Sequence, residues 1–306
     1  MPDLSVKLGP LTLKNPVMTA SGTFGYGMEY EGFFPPVDLG AVVVKGVTTR
    51  QVHGNPTPRV AEVVSGMLNA IGLQGPGVDK FLHDDHYLPG LRKRGATVIV
   101  NIWGRSLDEY RETAEKLDAE SDGIAALEIN VSCPNVKEGG ISFSADPQKM
   151  AGVISAVRNA TKIPIITKLS PNVGNIADFA RAVEDAGSDA VSLINTLSAM
   201  AIDINTRKPK IANKFAGFSG PAVKPVAVRM VYEVSRAVKI PVIGMGGISN
   251  GADAVEFLLA GADAVAVGTA NFVDPFAPLK VVHFINEYLD KNGFKSVSEL
   301  KHALIV

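Results

Sequence analysis

Cysteine is almost missing from this chain: 306 residues carry one, Cys133. A single thiol forms no intramolecular disulfide and cannot by itself hold an iron–sulfur cluster or a structural zinc, which points to a reducing, cytosolic setting. Excess charge of either sign is missing too. Thirty Lys and Arg face 31 Asp and Glu, a formal net charge of -1, with no basic stripe to suit nucleic acid. No apolar run approaches the roughly 20 residues of a membrane-spanning helix. The opening MPDLSVKLGPLTLKNP lacks the basic-then-apolar order of a secretory signal. A soluble cytoplasmic protein acting on a small molecule is what these absences leave.

What is present is a large core: 46% of residues are hydrophobic and 20% charged. Eight short β-rich runs recur: PVMTASG (16–22), AVVVKGVT (41–48), TVIVNIWG (97–104), ALEINVSCP (126–134), IPIITKLSP (163–171), AVSLINT (190–196), IPVIGMGG (240–247) and AVAVGTAN (264–271). Helical patterns such as SLDEYRETAEKLDAE and NIADFARAVEDAGS lie between most of them, each with Ser, Asp or Asn near its start. Alternating strands and helices imply parallel strands buried on both faces. Eight such units predict an α/β fold, a (β/α)8 TIM barrel, with residues 1–306 as one domain. A doubly wound open sheet is the rival, but it has fewer repeats and binds at one switch point. Residues 49–75 are expected to form an inserted hairpin, and 197–220 a long loop over the active-site face.

Such a barrel binds at the C-terminal ends of its strands. Those ends carry Ser21, Lys45, Asn101, Asn130 with Cys133, Lys168, Asn195-Thr196, Gly246-Gly247 and Gly268-Thr269 in turn. Each alone could merely satisfy loop backbone groups; together they outline a site. GMGGIS and VGTAN, after strands seven and eight, suit backbone binding of a phosphate. As a dinucleotide fingerprint GMGGIS fails, so direct NAD binding by this chain is not expected.

Two lysines inside apolar strands require partners, because an unpaired buried ammonium is costly. An anionic ligand such as a reduced flavin would serve. So would a buried pair with Glu128. Asn69, Asn101, Asn130 and Asn195 offer the donors and acceptors that a planar ring of alternating N–H and C=O groups needs, though Asn69 and Asn101 also suit turns or caps. Cys133 could abstract a proton from carbon while a flavin accepts hydride, with Gly139 and Gly140 as loop hinges, or it could pack inertly under Pro134.

TASGTFGYG, VVVKGVT, NAIGLQGPG, EINVSCPNVKEGG, TKLSPN, INT, GFSGPAVKP, GMGGI and AVAVGTA occur in this order over nearly the whole chain. Together they resemble the catalytic subunit of class 1B dihydroorotate dehydrogenases. NAIGLQ with SCPN and KLSPN carries most of the likeness.

The resemblance implies a cytosolic FMN enzyme of pyrimidine synthesis that oxidises (S)-dihydroorotate to orotate. In its terms Cys133 is the base that removes the C5 proton while hydride passes from C6 to flavin N5. Lys45, Asn69, Gly72, Leu73, Asn130, Asn195 and Thr196 are the implied substrate contacts. Ser21, Lys45, Gly46, Asn101, Asn130, Lys168, Ile194, Gly220, Gly246, Gly247, Gly268 and Thr269 are the implied FMN contacts. No metal is implied in this chain. A partner subunit carrying FAD and a [2Fe-2S] cluster would pass electrons to NAD, within a heterotetramer built on a homodimer of catalytic chains. One departure is Ser144 in GGISFSADP, where the family pattern leads one to expect Gly. The alternatives are a fumarate-linked class 1A enzyme, a flavin barrel acting on another dihydropyrimidine, and a non-redox phosphate-binding barrel.

Overall fold

A computed structural model of the chain describes residues 2–131 and 145–305. Cys133, Gly139, Gly140 and Ser144 therefore lie outside the described residues. Eight parallel strands make the central sheet: β1 (Val17–Thr19), β2 (Val42–Val47), β3 (Val98–Ile102), β4 (Ile124–Asn130), β5 (Ile165–Lys168), β6 (Ala190–Leu193), β7 (Val242–Met245) and β8 (Ala264–Val267). Each neighbours the next in chain order, and β8 returns to β1. The chain is a (β/α)8 TIM barrel, as expected from the eight runs.

The last seam, between β1 and β2, is sealed partly by a side chain. The Thr19 N–H donates to Ala41 O at 3.3 Å, while the fully buried Thr19 hydroxyl accepts from Val43 N at 2.9 Å and faces Val43 O at 3.3 Å. A hydroxyl that both donates and accepts replaces ladder bonds that the three-residue β1 is too short to supply.

Continuous apolar runs form these strands because helices cover the outside while side chains fill the inside. Val42, Val43, Val44, Ile99, Val100, Leu127 and Val265 are all essentially inaccessible to solvent. Each such side chain contributes roughly 1.5–3 kcal/mol on burial. The covering helices include α1 (Val78–His83), α2 (Leu88–Lys93), α3 (Leu107–Ala119), α4 (Pro147–Ala160), α5 (Ile176–Asp185), α6 (Lys224–Ser235), α7 (Gly251–Leu259), α8 (Ala270–Val273) and α9 (Ala277–Asn292). Their starts follow the polar residues noted in the sequence. Ser106, Asp146 and Asn175 accept backbone N–H groups at the starts of α3, α4 and α5, and Asn250 with Asp253 forms a reciprocal capping box on α7. A hairpin of Val6–Leu8 and Leu11–Leu13 lies at the other end of the barrel, where Gly9 approaches Asp189 just before β6.

The inserted hairpin is present, with Val60–Val63 pairing antiparallel to Gly66–Asn69. Residues 197–220 differ from the expected long loop. They contain Leu197–Ala199 and Ala216–Ser219, which join the hairpin in a four-stranded antiparallel sheet. Gly217 pairs with Asn69 there, and a Cβ at Gly217 would fall against the Thr196 hydroxyl. Glycine at position 217 is thus what lets the sheet press onto the barrel mouth.

Candidate active site

The small sheet roofs a cavity of about 810 Å3 at the C-terminal ends of the barrel strands. Nearly all the candidate positions line it. Lys45 and Gly46 lie in the last half of β2, Asn101 lies in β3, Asn130 ends β4 and Lys168 ends β5. Ile194, Asn195 and Thr196 follow β6, Gly246 and Gly247 follow β7, and Gly268 and Thr269 follow β8. The roof sheet and its flanks supply Asn69, Gly72, Leu73 and Gly220. Ser21, just past β1, completes the ring.

The floor is organised by one carboxylate. Glu128, 2% exposed, accepts from Asn101 Nδ2 at 2.7 Å and Ser192 Oγ at 2.8 Å, with Lys168 Nζ at 3.5 Å. Lys168 Nζ also donates to Ser21 Oγ at 3.1 Å. The buried lysine–carboxylate pair weighed from sequence is therefore present, and it does not keep Lys168 out of the cavity wall.

Asn101 turns its amide nitrogen to Glu128. Its oxygen, fully buried, meets no donor among the described residues. Gly46 faces that oxygen: a Cβ there would stand 3.0 Å from Asn101 Oδ1 and 2.9 Å from the Trp103 ring. Glycine keeps this approach clear.

Lys45 is placed differently. Among the described residues it makes no ion pair within 4 Å, and its pKa is held below the ordinary lysine value, first by burial and then by the Arg59 guanidinium, with Glu29 partly opposing. A cavity-wall ammonium with more positive than negative charge near it is suited to an anion.

Above it the amides interlock. Asn195 Nδ2 donates to Asn130 Oδ1 at 3.3 Å, and Asn195 Oδ1 accepts from Thr196 N at 2.8 Å. The Tyr110 hydroxyl donates to Asn130 O at 2.8 Å. Asn172 donates to Thr196 O and accepts from Ser198 N, tying the β5 end to the roof. At the opposite wall Gly246 and Gly247 have φ of 116° and 85°, and a Cβ on Gly247 would meet the Lys224 backbone at 2.7 Å. Thr269 Oγ1 donates to Ser219 Oγ at 2.8 Å.

Every candidate contact residue named from the sequence thus lines one cavity; Cys133 lies outside the described residues. Asn69 is a strand residue there, not a turn or cap. Ser170, Asn172, Asn55 and Ser219 also line the cavity and were not singled out. Ser170 and Asn172 sit inside KLSPN, so position after β5 was the available signal. Ser219 sits inside GFSGPAVKP, beside Gly220, and that was its signal; Asn55 had none, because its place depends on how the roof folds back. Among the described residues no cluster of three or more metal-binding side chains occurs, and no helix is long and apolar enough to cross a membrane.

Comparison with known proteins gives a consistent result. The model of the dihydroorotate dehydrogenase family matches residues 3–289. A protein of Desulforamulus reducens is 55% identical over 98% of both chains, and one of Geotalea uraniireducens 54% identical over 99% of both. One of Bacteroides fragilis is 52% identical over the full length of each. All three carry the name dihydroorotate dehydrogenase B (NAD(+)), catalytic subunit.

Proposed function

Since the chain belongs to the dihydroorotate dehydrogenase family, we propose that it oxidises (S)-dihydroorotate to orotate in pyrimidine biosynthesis, using FMN bound in the barrel mouth. The observation that carries this reading is the convergence of Lys45, four amide-bearing asparagines and the glycine turns after β7 and β8 on one cavity.

The residues present fit an FMN. The unpartnered Asn101 oxygen is an acceptor for a ring N–H, Lys168 and Lys45 are cations for an electron-rich ring edge, and the positive-φ Gly246-Gly247 turn in the cavity wall suits backbone binding of a phosphate. When bound, FMN supplies the acceptor for the hydride leaving C6. This chain's own residues do the rest. Lys45 holds the substrate carboxylate; Asn69, Asn130, Asn195 and Thr196 align the planar ring through its alternating donors and acceptors; Gly72 and Leu73 let the roof backbone approach it. Ser21, Gly46, Ile194, Gly220, Gly268 and Thr269 shape the cofactor side. Cys133 takes the C5 proton.

NAD as final acceptor, and a separate subunit carrying FAD and a [2Fe-2S] cluster, accord with the name of the relatives, which are catalytic subunits of NAD(+) enzymes. In this reading residues 1–306 form one domain, catalytic chains pair within a heterotetramer, and the assembly works in the cytoplasm. An anaerobic absorbance spectrum with and without dihydroorotate tests the proposal. Flavin bands that bleach on addition support it. Bands that persist indicate another dihydropyrimidine, and failure to take up FMN overturns the flavin assignment.

A further inference from the structure

Four inward side chains on successive strands form the barrel floor: Asn101 (β3), Glu128 (β4), Lys168 (β5) and Ser192 (β6). Asn101 and Glu128 occupy paired positions in the ladder, as do Lys168 and Ser192. A carboxylate can only accept, and three donors converge on this one. An amide is nearly symmetric in shape, so what decides which end faces where is the partner. With Glu128 on one side, Asn101 has to present Nδ2 to it and turn Oδ1 away. That oxygen is the buried acceptor left without a donor beside Gly46, at the cavity wall.

We propose that Glu128 is a positioning residue for the flavin site: it orients Asn101 so that an acceptor faces the flavin ring, and it offsets the Lys168 charge so that the bound flavin is not over-stabilised in its reduced form. The inference rests on the FMN reading of the same cavity. The two roles are separable. Gln at 128 keeps an acceptor for Asn101 and Lys168 at one position and turns its Nε2 toward Ser192 Oγ, which can accept. The network survives without the charge. Lys168 then faces a neutral amide instead of a carboxylate, and electron-rich reduced flavin gains. Removing Ser192 Oγ does the opposite, because the carboxylate loses a donor that takes up part of its charge.

Quenching of FMN fluorescence measures the FMN affinity of the flavin-free chain, and spectroelectrochemistry the midpoint potential of bound flavin. These are done for wild type, Glu128→Gln and Ser192→Ala. Expected are near-wild-type affinity in both variants, a positive shift in Glu128→Gln worth about tenfold in the reduction equilibrium, and a smaller negative shift in Ser192→Ala. Glu128→Ala, which leaves Asn101 unsupported, should lose about tenfold in FMN affinity. A wild-type chain that takes up no FMN overturns the flavin reading itself. A wild-type chain that binds FMN, with potentials unchanged in both variants, leaves that reading standing and overturns this one, making Glu128 a residue of the fold alone. Should Glu128→Gln not fold, the sign of the Ser192→Ala shift decides: zero or positive overturns the proposal.

Discussion

Ser21 and Lys168 are 147 residues apart in the chain, yet the lysine Nζ donates to the serine Oγ at 3.1 Å across the barrel mouth. Closure of the barrel brings them together, since β1 and β5 lie on opposite sides of the ring. Lys168 is held from below by Glu128, with both side chains at most 5% exposed. Removing one member of a buried pair leaves the other charge uncompensated. Lys168→Ala should therefore destabilise the flavin-free chain by about 3–5 kcal/mol. Lys168→Met with Glu128→Gln should recover most of that loss, and denaturant titration of single and double variants checks it.

Lys45 gives a pH dependence of defined sign. Its folded-state pKa lies below the ordinary lysine value, with burial the first cause. The cost of holding it charged is therefore fully present at neutral pH, shrinks as pH rises through the folded pKa, and is gone above the unfolded value of about 10.4. Lys45→Met should raise the melting temperature of the ligand-free chain by a few degrees at pH 7, with the gain fading at alkaline pH. If Lys45 holds the substrate carboxylate as proposed, the variant should also be protected less by orotate. Thermal melts at pH 7 and pH 10, with and without orotate, read both effects.

The amide pair Asn130–Asn195 predicts a binding defect. Asn195 is fixed at its oxygen by Thr196 N and at its nitrogen by Asn130. In Asn195→Ala one cavity-lining amide is lost and Asn130 loses its brace. KM for dihydroorotate should rise about 10–100-fold. Steady-state kinetics with a dye acceptor measure this without the partner subunit, and an unchanged KM would remove Asn195 from the substrate set.

The eight strands were legible because burial on both faces demands continuous apolar runs, and the polar residue ending each run marked the mouth. The helix starts were legible through Ser106, Asp146, Asn175 and Asn250, whose side chains bond locally. What depended on distant chain was not. Leu197–Ala199 and Ala216–Ser219 are strands only because the hairpin at 60–69 lies beside them, and nothing local in the 197–220 stretch announces that. Glu128 was visible as a carboxylate that could neutralise a lysine. Its grip on Asn101 and Ser192 follows from strand register, which closure of the barrel sets.

Gly247 tests the phosphate wall. With φ of 85°, and Lys224 backbone atoms within 2.8 Å of where a Cβ would stand, no side chain fits without movement of the α6 start. Gly247→Ala should cost about 1–3 kcal/mol. It should also weaken FMN more than it weakens riboflavin, which lacks the phosphate. Equal losses for the two would place the phosphate elsewhere.

Cys133 follows β4, whose last residue is Asn130 in the cavity wall, so two intervening residues connect the thiol to the site. If it takes the C5 proton, its replacement by an alcohol should strike the chemical step and spare binding. A free thiol ionises near pH ~8.5, and an aliphatic alcohol does not ionise in the neutral range. Cys133→Ser should therefore bind FMN and orotate as wild type does, while dihydroorotate reduces the flavin at least about 100-fold more slowly at neutral pH. Anaerobic stopped-flow absorbance separates flavin reduction from later electron transfer. A wild-type reduction rate in Cys133→Ser would require another base. A slow rate with unchanged FMN and orotate affinity would assign the proton to Cys133.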